Sequence, residues 1–298
     1  MMNVLTSGLV LRARAGFYDV ETEQGMVQAQ IRGRLKREVD EIAIGDRVQV
    51  REAEGGKVMI EDVQPRDRVL SRRNPGREKE QVLIANPDQA VFVFASADPD
   101  PNFRLMDRLL VMAESAKIHA IICVNKVDLV KLKSAKEEFG EYSDMGYLVL
   151  YTSAIKGKGI RALRKQLRDQ ISVFAGPSGV GKSTLLNAVQ PGLGLRTKEV
   201  SEVGLGAHTT VVRELLALEG GGYVADTPGL RAFALWDIEP EELDGYMPDL
   251  AALVDLCEFN DCTHMHEPGC AVKAAVEDGR LSPERYDSYL RMREGEVD

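Results

Sequence analysis

By length alone, 298 residues suggest about two domains, and 44% hydrophobic content suffices for packed cores. The formal charge of −9 is uneven: residues 239–298 carry 16 acidic and 5 basic side chains and the remainder is +2, which excludes a uniformly basic nucleic-acid binder but allows a local basic face. No apolar run approaches the roughly 20 residues of a membrane span, and Met1 to Leu11 lacks the basic-then-apolar order of a secretory signal, so a cytoplasmic protein is expected.

Residues 1–70 read as a small β-barrel. Short runs such as Val27–Ile31, Asp46–Val50 and Lys57–Ile60 are separated by turn signals at Gly16, Gly25, Gly33, Gly45 and Gly55-Gly56. Even spacing of short strands points to an OB-fold-like barrel. Arg32, Arg34, Lys36 and Arg37 form a basic segment suited to a solvated loop or an RNA-backbone contact. Residues 64–81, with Pro65, Asn74, Pro75, Gly76 and several arginines, read as a linker.

From Gln89 onward strands and helices alternate. Ala90–Ala95 is apolar throughout, as a strand buried on both faces must be. Beyond the Asp98–Asn102 breaker a helix carries Phe103, Met106, Leu109, Leu110 and Ala113 on one stripe. Strand 119–124, helix 131–139, strand 147–151, helix 160–170 and strand 171–175 follow, an order that implies a parallel sheet covered on both faces.

Three motifs sit at the carboxyl ends of these strands, where such sheets place ligands. Asn125-Lys126-Val127-Asp128 offers a carboxylate, Asp128, for the paired N–H donors of guanine, with Asn125 toward the base edge and Lys126 along the ring. Thr152-Ser153-Ala154 resembles the loop whose backbone N–H meets the guanine carbonyl. Gly176-Pro177-Ser178-Gly179-Val180-Gly181-Lys182-Ser183, followed by Thr184 and a helix, is a phosphate-binding loop: backbone N–H groups and the helix N-terminus face anionic oxygens, Lys182 reaches the β- and γ-phosphates and Ser183 ligates Mg²⁺. Later still, Asp226-Thr227-Pro228-Gly229 resembles the motif that meets Mg²⁺ and the γ-phosphate, with Asp226 and Gly229 its contributors. Reading the base before the phosphates inverts the Ras-like order. Helix 160–170 runs straight into strand 171–175, so the same fold closes with shifted termini.

Three of the four cysteines lie within residues 257–270, which in a reducing compartment favours metal over disulfides. Cys257, Cys262, His264 and Cys270 supply a closed Cys₃His set of the structural zinc type, with His266 a nearby alternative. Helices are expected over 241–255, 271–278 and 283–293, the last capped by Ser282-Pro283.

A permuted GTPase between a β-rich module and a Cys/His tail resembles the ribosome small-subunit-dependent GTPases, the RsgA family, over nearly the whole chain. The resemblance implies an α/β fold with three modules: an OB-like barrel over 1–70, a circularly permuted GTPase domain over 71–236 and a zinc-binding helical module over 237–298. It implies a GTP phosphohydrolase that works with Mg²⁺, is stimulated by the small (30S) subunit and its 16S rRNA in late maturation, and is monomeric. It also prefers His264 over His266 as zinc ligand. In Gly206-Ala207-His208-Thr209-Thr210 the resemblance makes Thr210, or Thr209 beside it, the switch ligand of Mg²⁺ and His208 the residue that orients attacking water. Gly204-Leu205-Gly206-Ala207 lacks the basic residues the family carries before that histidine. Leu230 stands where Ras-like enzymes place a water-orienting glutamine, so intrinsic hydrolysis is expected to be slow. The rival is a nucleotide-gated RNA- or ribosome-binding protein in which hydrolysis is incidental.

Overall fold

The computed structural model describes residues 5–14, 16–33, 35, 41–73, 80–195, 214–226 and 238–296. Five strands, β1 (Thr6–Arg14), β2 (Phe17–Thr22), β3 (Gly25–Ile31), β4 (Arg47–Glu52) and β5 (Val58–Val63), close a barrel in the order β1-β2-β3-β5-β4. All neighbours are antiparallel except β3 and β5. Val10, Val20, Ala29, Val48, Val50 and Ile60 fill it from alternate positions, the period-2 pattern of a one-sided core. This is the OB-type arrangement expected from the strand spacing.

Residues 64–81 are more than a linker. β6 (Val69–Arg73) and β7 (Glu80–Ala85) pair antiparallel, with Leu70, Leu83 and Ile84 buried in the main core. Arginines and prolines dominated the composition there and hid the short apolar runs that do the pairing.

The central sheet runs β10-β9-β8-β11-β13-β12, with β8 (Gln89–Ala95), β9 (His119–Asn125), β10 (Leu148–Tyr151), β11 (Ile171–Ala175), β12 (Leu216–Ala217) and β13 (Tyr223–Asp226). It is parallel apart from β12. Every residue of β8 and β11 is buried, because α1 (Phe103–Ser115), α3 (Gly140–Asp144) and Phe139 at the end of α2 (Leu132–Glu138) pack with one core cluster, whereas α4 (Ile160–Leu167) and α5 (Lys182–Val189) pack with a second. α4 passes through Arg168–Gln170 directly into β11, the join that shifts the termini.

The barrel is fastened to the β6–β7 ribbon that leads into this sheet. Ala85 N–H donates to Ile44 O (2.9 Å), Asn86 Nδ2 donates to Gly45 O (3.0 Å), and Arg66 clasps the fully buried Asp46 at 2.7 and 2.8 Å. On its other side β1 bridges to Glu214: Arg12 pairs with that carboxylate, and Leu215 N–H donates to Leu11 O at 2.8 Å.

In the C-terminal part, the helix expected over 241–255 is split into a 3-10 turn, Leu243–Tyr246, and α6 (Pro248–Val254). Pro248 has no N–H for an internal helical bond and can only begin a new helix. α7 (Ala271–Glu277) and α8 (Pro283–Arg293) follow, and Ser282 caps α8 by accepting from Arg285 N–H at 3.2 Å. Val111 of α1 shares this module's core with Leu243, Met247 and Tyr289. Arg285, at 3% side-chain exposure, joins Asp107 of α1 (2.5 Å) to Asp249 of α6 (2.7 and 2.8 Å), and Asp107 also accepts from Tyr142 Oη (2.7 Å).

Candidate functional site

β11 ends at Ala175, and the chain turns through 176–181 into α5. The turn lies hard against its neighbours. A Cβ on Gly176 (φ 140°) would stand 2.1 Å from Val93 O, and one on Gly181 (φ 88°) 2.7 Å from Asn125 Nδ2, so both positions require glycine. No side chain caps α5, whose first N–H groups lack intrahelical acceptors and face the loop. Lys182 Nζ curls into that loop and donates to Gly176 O (2.9 Å) and Pro177 O (2.7 Å). Ser183 and Thr184 occupy the first turn, while Val180 is buried in the core below. Ser178 and Gly179 form the tip between them.

Asn125 closes β9 beside this loop at 2% exposure. Its Nδ2 donates to Val180 O (2.9 Å), and its Oδ1 accepts from Thr152 Oγ1 (3.2 Å) and Ala154 N–H (3.3 Å). Asn125 is expected at the base edge; its buried amide also ties three loops together, and of its two Nδ2 hydrogens one is committed, to Val180 O. Lys126 takes a left-handed φ of 61° and sends its ammonium to the carbonyl and carboxylate of Asp98. Asp128 is partly exposed, and its carboxyl is held below the usual range chiefly by the Ser153 hydroxyl, with Lys156 and Lys158 adding to the effect. It is therefore an ionised acceptor at neutral pH. Ser153 is fully buried, and Val127 N–H donates to Thr152 O (3.1 Å), which fixes the two base-side loops to one another.

Asp226 ends β13 in register with Phe174 of β11, at the edge where the phosphate loop begins. His208, Thr209, Thr210 and Gly229 lie outside the described residues.

A second cluster lies in the C-terminal module. One ligand atom from each of Cys257, Cys262, His264 and Cys270 lies within 4.8 Å of the others. His264 Nδ1 is 3.6 Å from Cys257 Sγ and 3.4 Å from Cys270 Sγ. A tetrahedral ion bonded at about 2.3 Å to sulfur and about 2.0 Å to nitrogen separates such atoms by roughly 3.5 Å, so the set fits a single ion. His264 is fully buried, whereas His266 is exposed and outside the cluster. The loop is braced by Glu267, which accepts from the N–H groups of Thr263, Met265 and His266, and by Tyr286 Oη, which donates to His264 O at 2.6 Å.

Sequence reasoning missed one participant. Asp244 Oδ2 lies 3.0 Å from His264 Nε2 and so fixes which ring nitrogen faces the cysteines; it stands in an acidic stretch with no spacing rule to mark it. Thr152, the first residue of the Thr152-Ser153-Ala154 motif, is a fully buried hydroxyl between Asn125 and the Cys123 thiol.

A base-reading loop that precedes the phosphate loop in sequence yet adjoins it in space, on a six-stranded sheet, defines a circularly permuted GTPase fold. The RsgA GTPase family model matches residues 63–236 and the RsgA N-terminal domain model residues 7–60. This chain belongs to the RsgA family. A Gemmatimonas aurantiaca protein named small ribosomal subunit biogenesis GTPase RsgA is 45% identical over 301 residues, 98% of either chain. One of the same name from Moorella thermoacetica is 43% identical over 288 residues, 95% of this chain and 94% of that one. Among solved structures, YjeQ from Thermotoga maritima superposes with a TM-score of 0.83 at 35% identity over 99% of both chains. YloQ, described as a circularly permuted GTPase, gives 0.79 at 32% identity over 98% of this chain and 95% of that one.

Proposed function

We propose that this chain binds GTP, hydrolyses it to GDP and phosphate, and does so on the small (30S) ribosomal subunit during its late maturation, as a cytoplasmic monomer that touches 16S rRNA. The observation that carries the reading is the Asn125 tie, which sets the base-side loops and the phosphate loop around one cleft. Asp128 accepts the N1–H and N2–H₂ of guanine, a donor pair adenine lacks, and the Ser153–Ala154 backbone faces the guanine carbonyl. The N–H groups of Ser178, Gly179 and Gly181 turn toward phosphate oxygens, and Lys182 exchanges its two carbonyl partners for them. Ser183 and Thr210 hold Mg²⁺, with Thr209 the alternative and Asp226 and Gly229 behind; the ion neutralises charge between the phosphates when bound. His208 orients the attacking water on the subunit, since Leu230 cannot.

Cys257, Cys262, His264 and Cys270 hold zinc. The ion's binding free energy adds to the apolar core around Leu243, Met247, Leu250 and Tyr289 in keeping the tail folded. The deciding experiment is GTP turnover with and without purified small subunits, using Lys182→Ala as the blank. A slow basal rate that rises by orders of magnitude on subunits is expected. Turnover above the blank but indifferent to subunits refutes the ribosomal part alone. His208→Ala separates the rival reading, because a nucleotide-gated binder keeps its function in that variant and loses it in Lys182→Ala.

A further inference from the structure

From Lys156 to Arg168 the chain carries six basic residues and no acidic one, in a protein of net charge −9. Lys156 and Lys158 stand exposed beside the base-side loop, and Arg161, Arg164, Lys165 and Arg168 continue along α4 and its end. At i, i+3, i+4 and i+7 the last four share one helix face and span about 10 Å. They line a groove of about 1170 Å³, whose far wall is the end of α5 and the β12–β13 turn. Its one carboxylate is Glu219, and Asp169 stands just beyond.

Arg164 serves the fold, donating to Val189 O at 2.6 and 3.1 Å at the end of α5. Among the described residues, Arg161, Lys165 and Arg168 have no ion-pair partner. Like charges packed on one helix face repel, so the row opposes folding and suits a polyanion.

We propose that this groove docks the sugar-phosphate backbone of an RNA duplex. Its lining holds no aromatic side chain, so it offers no platform for stacking single-stranded bases. Row-like cations without base-reading partners match phosphate contacts, which position a duplex and read no sequence. The groove floor includes Arg168, in the α4–β11 join, so shifting the termini built the surface that an unpermuted chain would leave as two loose ends. The inference is compatible with the ribosomal reading but stands on a separate face from the nucleotide cleft.

The test uses the full-length, zinc-loaded chain and a fluorescein-labelled RNA duplex of about 16 base pairs. Arg161→Gln, Lys165→Gln and Arg168→Gln are combined; glutamine keeps helix propensity, and Arg164 is left in place. The expected result is at least a tenfold weaker anisotropy-measured affinity. The slope of log affinity against log salt should fall by about three, one per cation removed. Basal GTP turnover should be unchanged. A control triple on α2 and its cap, Lys131→Gln, Lys133→Gln and Lys136→Gln, removes equal charge and should bind as wild type. An unchanged affinity in the groove variant, or an equal loss in the control, overturns the proposal. A DNA duplex of the same sequence bound as tightly as the RNA also overturns it, by making the groove an unselective polyanion site. Subunit-stimulated turnover of the wild type, measured in parallel, reports on the ribosomal reading independently.

Discussion

Replacing Arg285 by methionine removes a guanidinium that joins the C-terminal module to α1. The side chain is 3% exposed, Asp107 is 1% and Asp249 13%. The change leaves one fully buried carboxylate and one nearly buried one without a cation, although Tyr142 Oη still donates to Asp107. Breaking a buried pair from one side costs about 3–5 kcal/mol, against a total domain stability of about 5–15 kcal/mol. Burial already raises the Asp107 carboxyl above its ordinary value, with Arg285 acting in the opposite direction, so the variant pushes it higher. A carboxyl whose folded pKa exceeds its unfolded one destabilises fully above the folded value. That part of the deficit shrinks by about 1.4 kcal/mol per pH unit below it and vanishes near the ordinary carboxylate range. Urea melts of the zinc-loaded protein, followed by circular dichroism at several pH values, measure this. Combining Arg285→Met with Asp107→Asn and Asp249→Asn should recover most of the loss, because a network removed whole costs far less than one cut on one side. A single substitution that costs under about 1 kcal/mol, independent of pH, would refute the reasoning.

Three further outcomes are expected. Asp128→Asn should move preference from guanine toward xanthine nucleotides, which present an acceptor where guanine has its amino group; displacement of a fluorescent GDP analogue by each nucleotide reads the switch. Asn125→Ala leaves the Val180 carbonyl and the Ala154 N–H without their tie. At about 1–3 kcal/mol for a buried unsatisfied group, nucleotide affinity should fall roughly 5- to 150-fold, seen in the same titration. Asp244→Ala should lower zinc affinity by about 10–100-fold while leaving the ligand set in place, measured by competition with a chromophoric chelator; an unchanged affinity would remove Asp244 from the metal site.

What the sequence revealed was local or periodic. The phosphate loop was legible because two glycines that admit no Cβ and the lysine after them sit within a single turn. The sheet was legible because fully apolar runs such as Ala90–Ala95 alternate with amphipathic helices. What stayed hidden acts across distance. Arg285 and Asp107 are 178 residues apart, and nothing near either one announces the other. Asp244 precedes His264 by 20 positions in an acidic stretch where each carboxylate looks alike. The Asn125 amide reads as a base contact, and its further bonds to Val180, Thr152 and Ala154 show only in the fold. Pro248 was in plain view, but the apolar pattern around it masked the break it imposes.

Leu11 and Arg12 hold residues 214 and 215, immediately after the segment that carries His208 and Thr210. A truncated chain that lacks the barrel therefore loses more than a separate module, because the anchor of that segment goes with it. Rate constants from such a truncation describe a chain without that anchor, so a drop in turnover cannot be credited to missing RNA contacts. Point substitution on the outer barrel face, with Arg12 left intact, is the cleaner dissection.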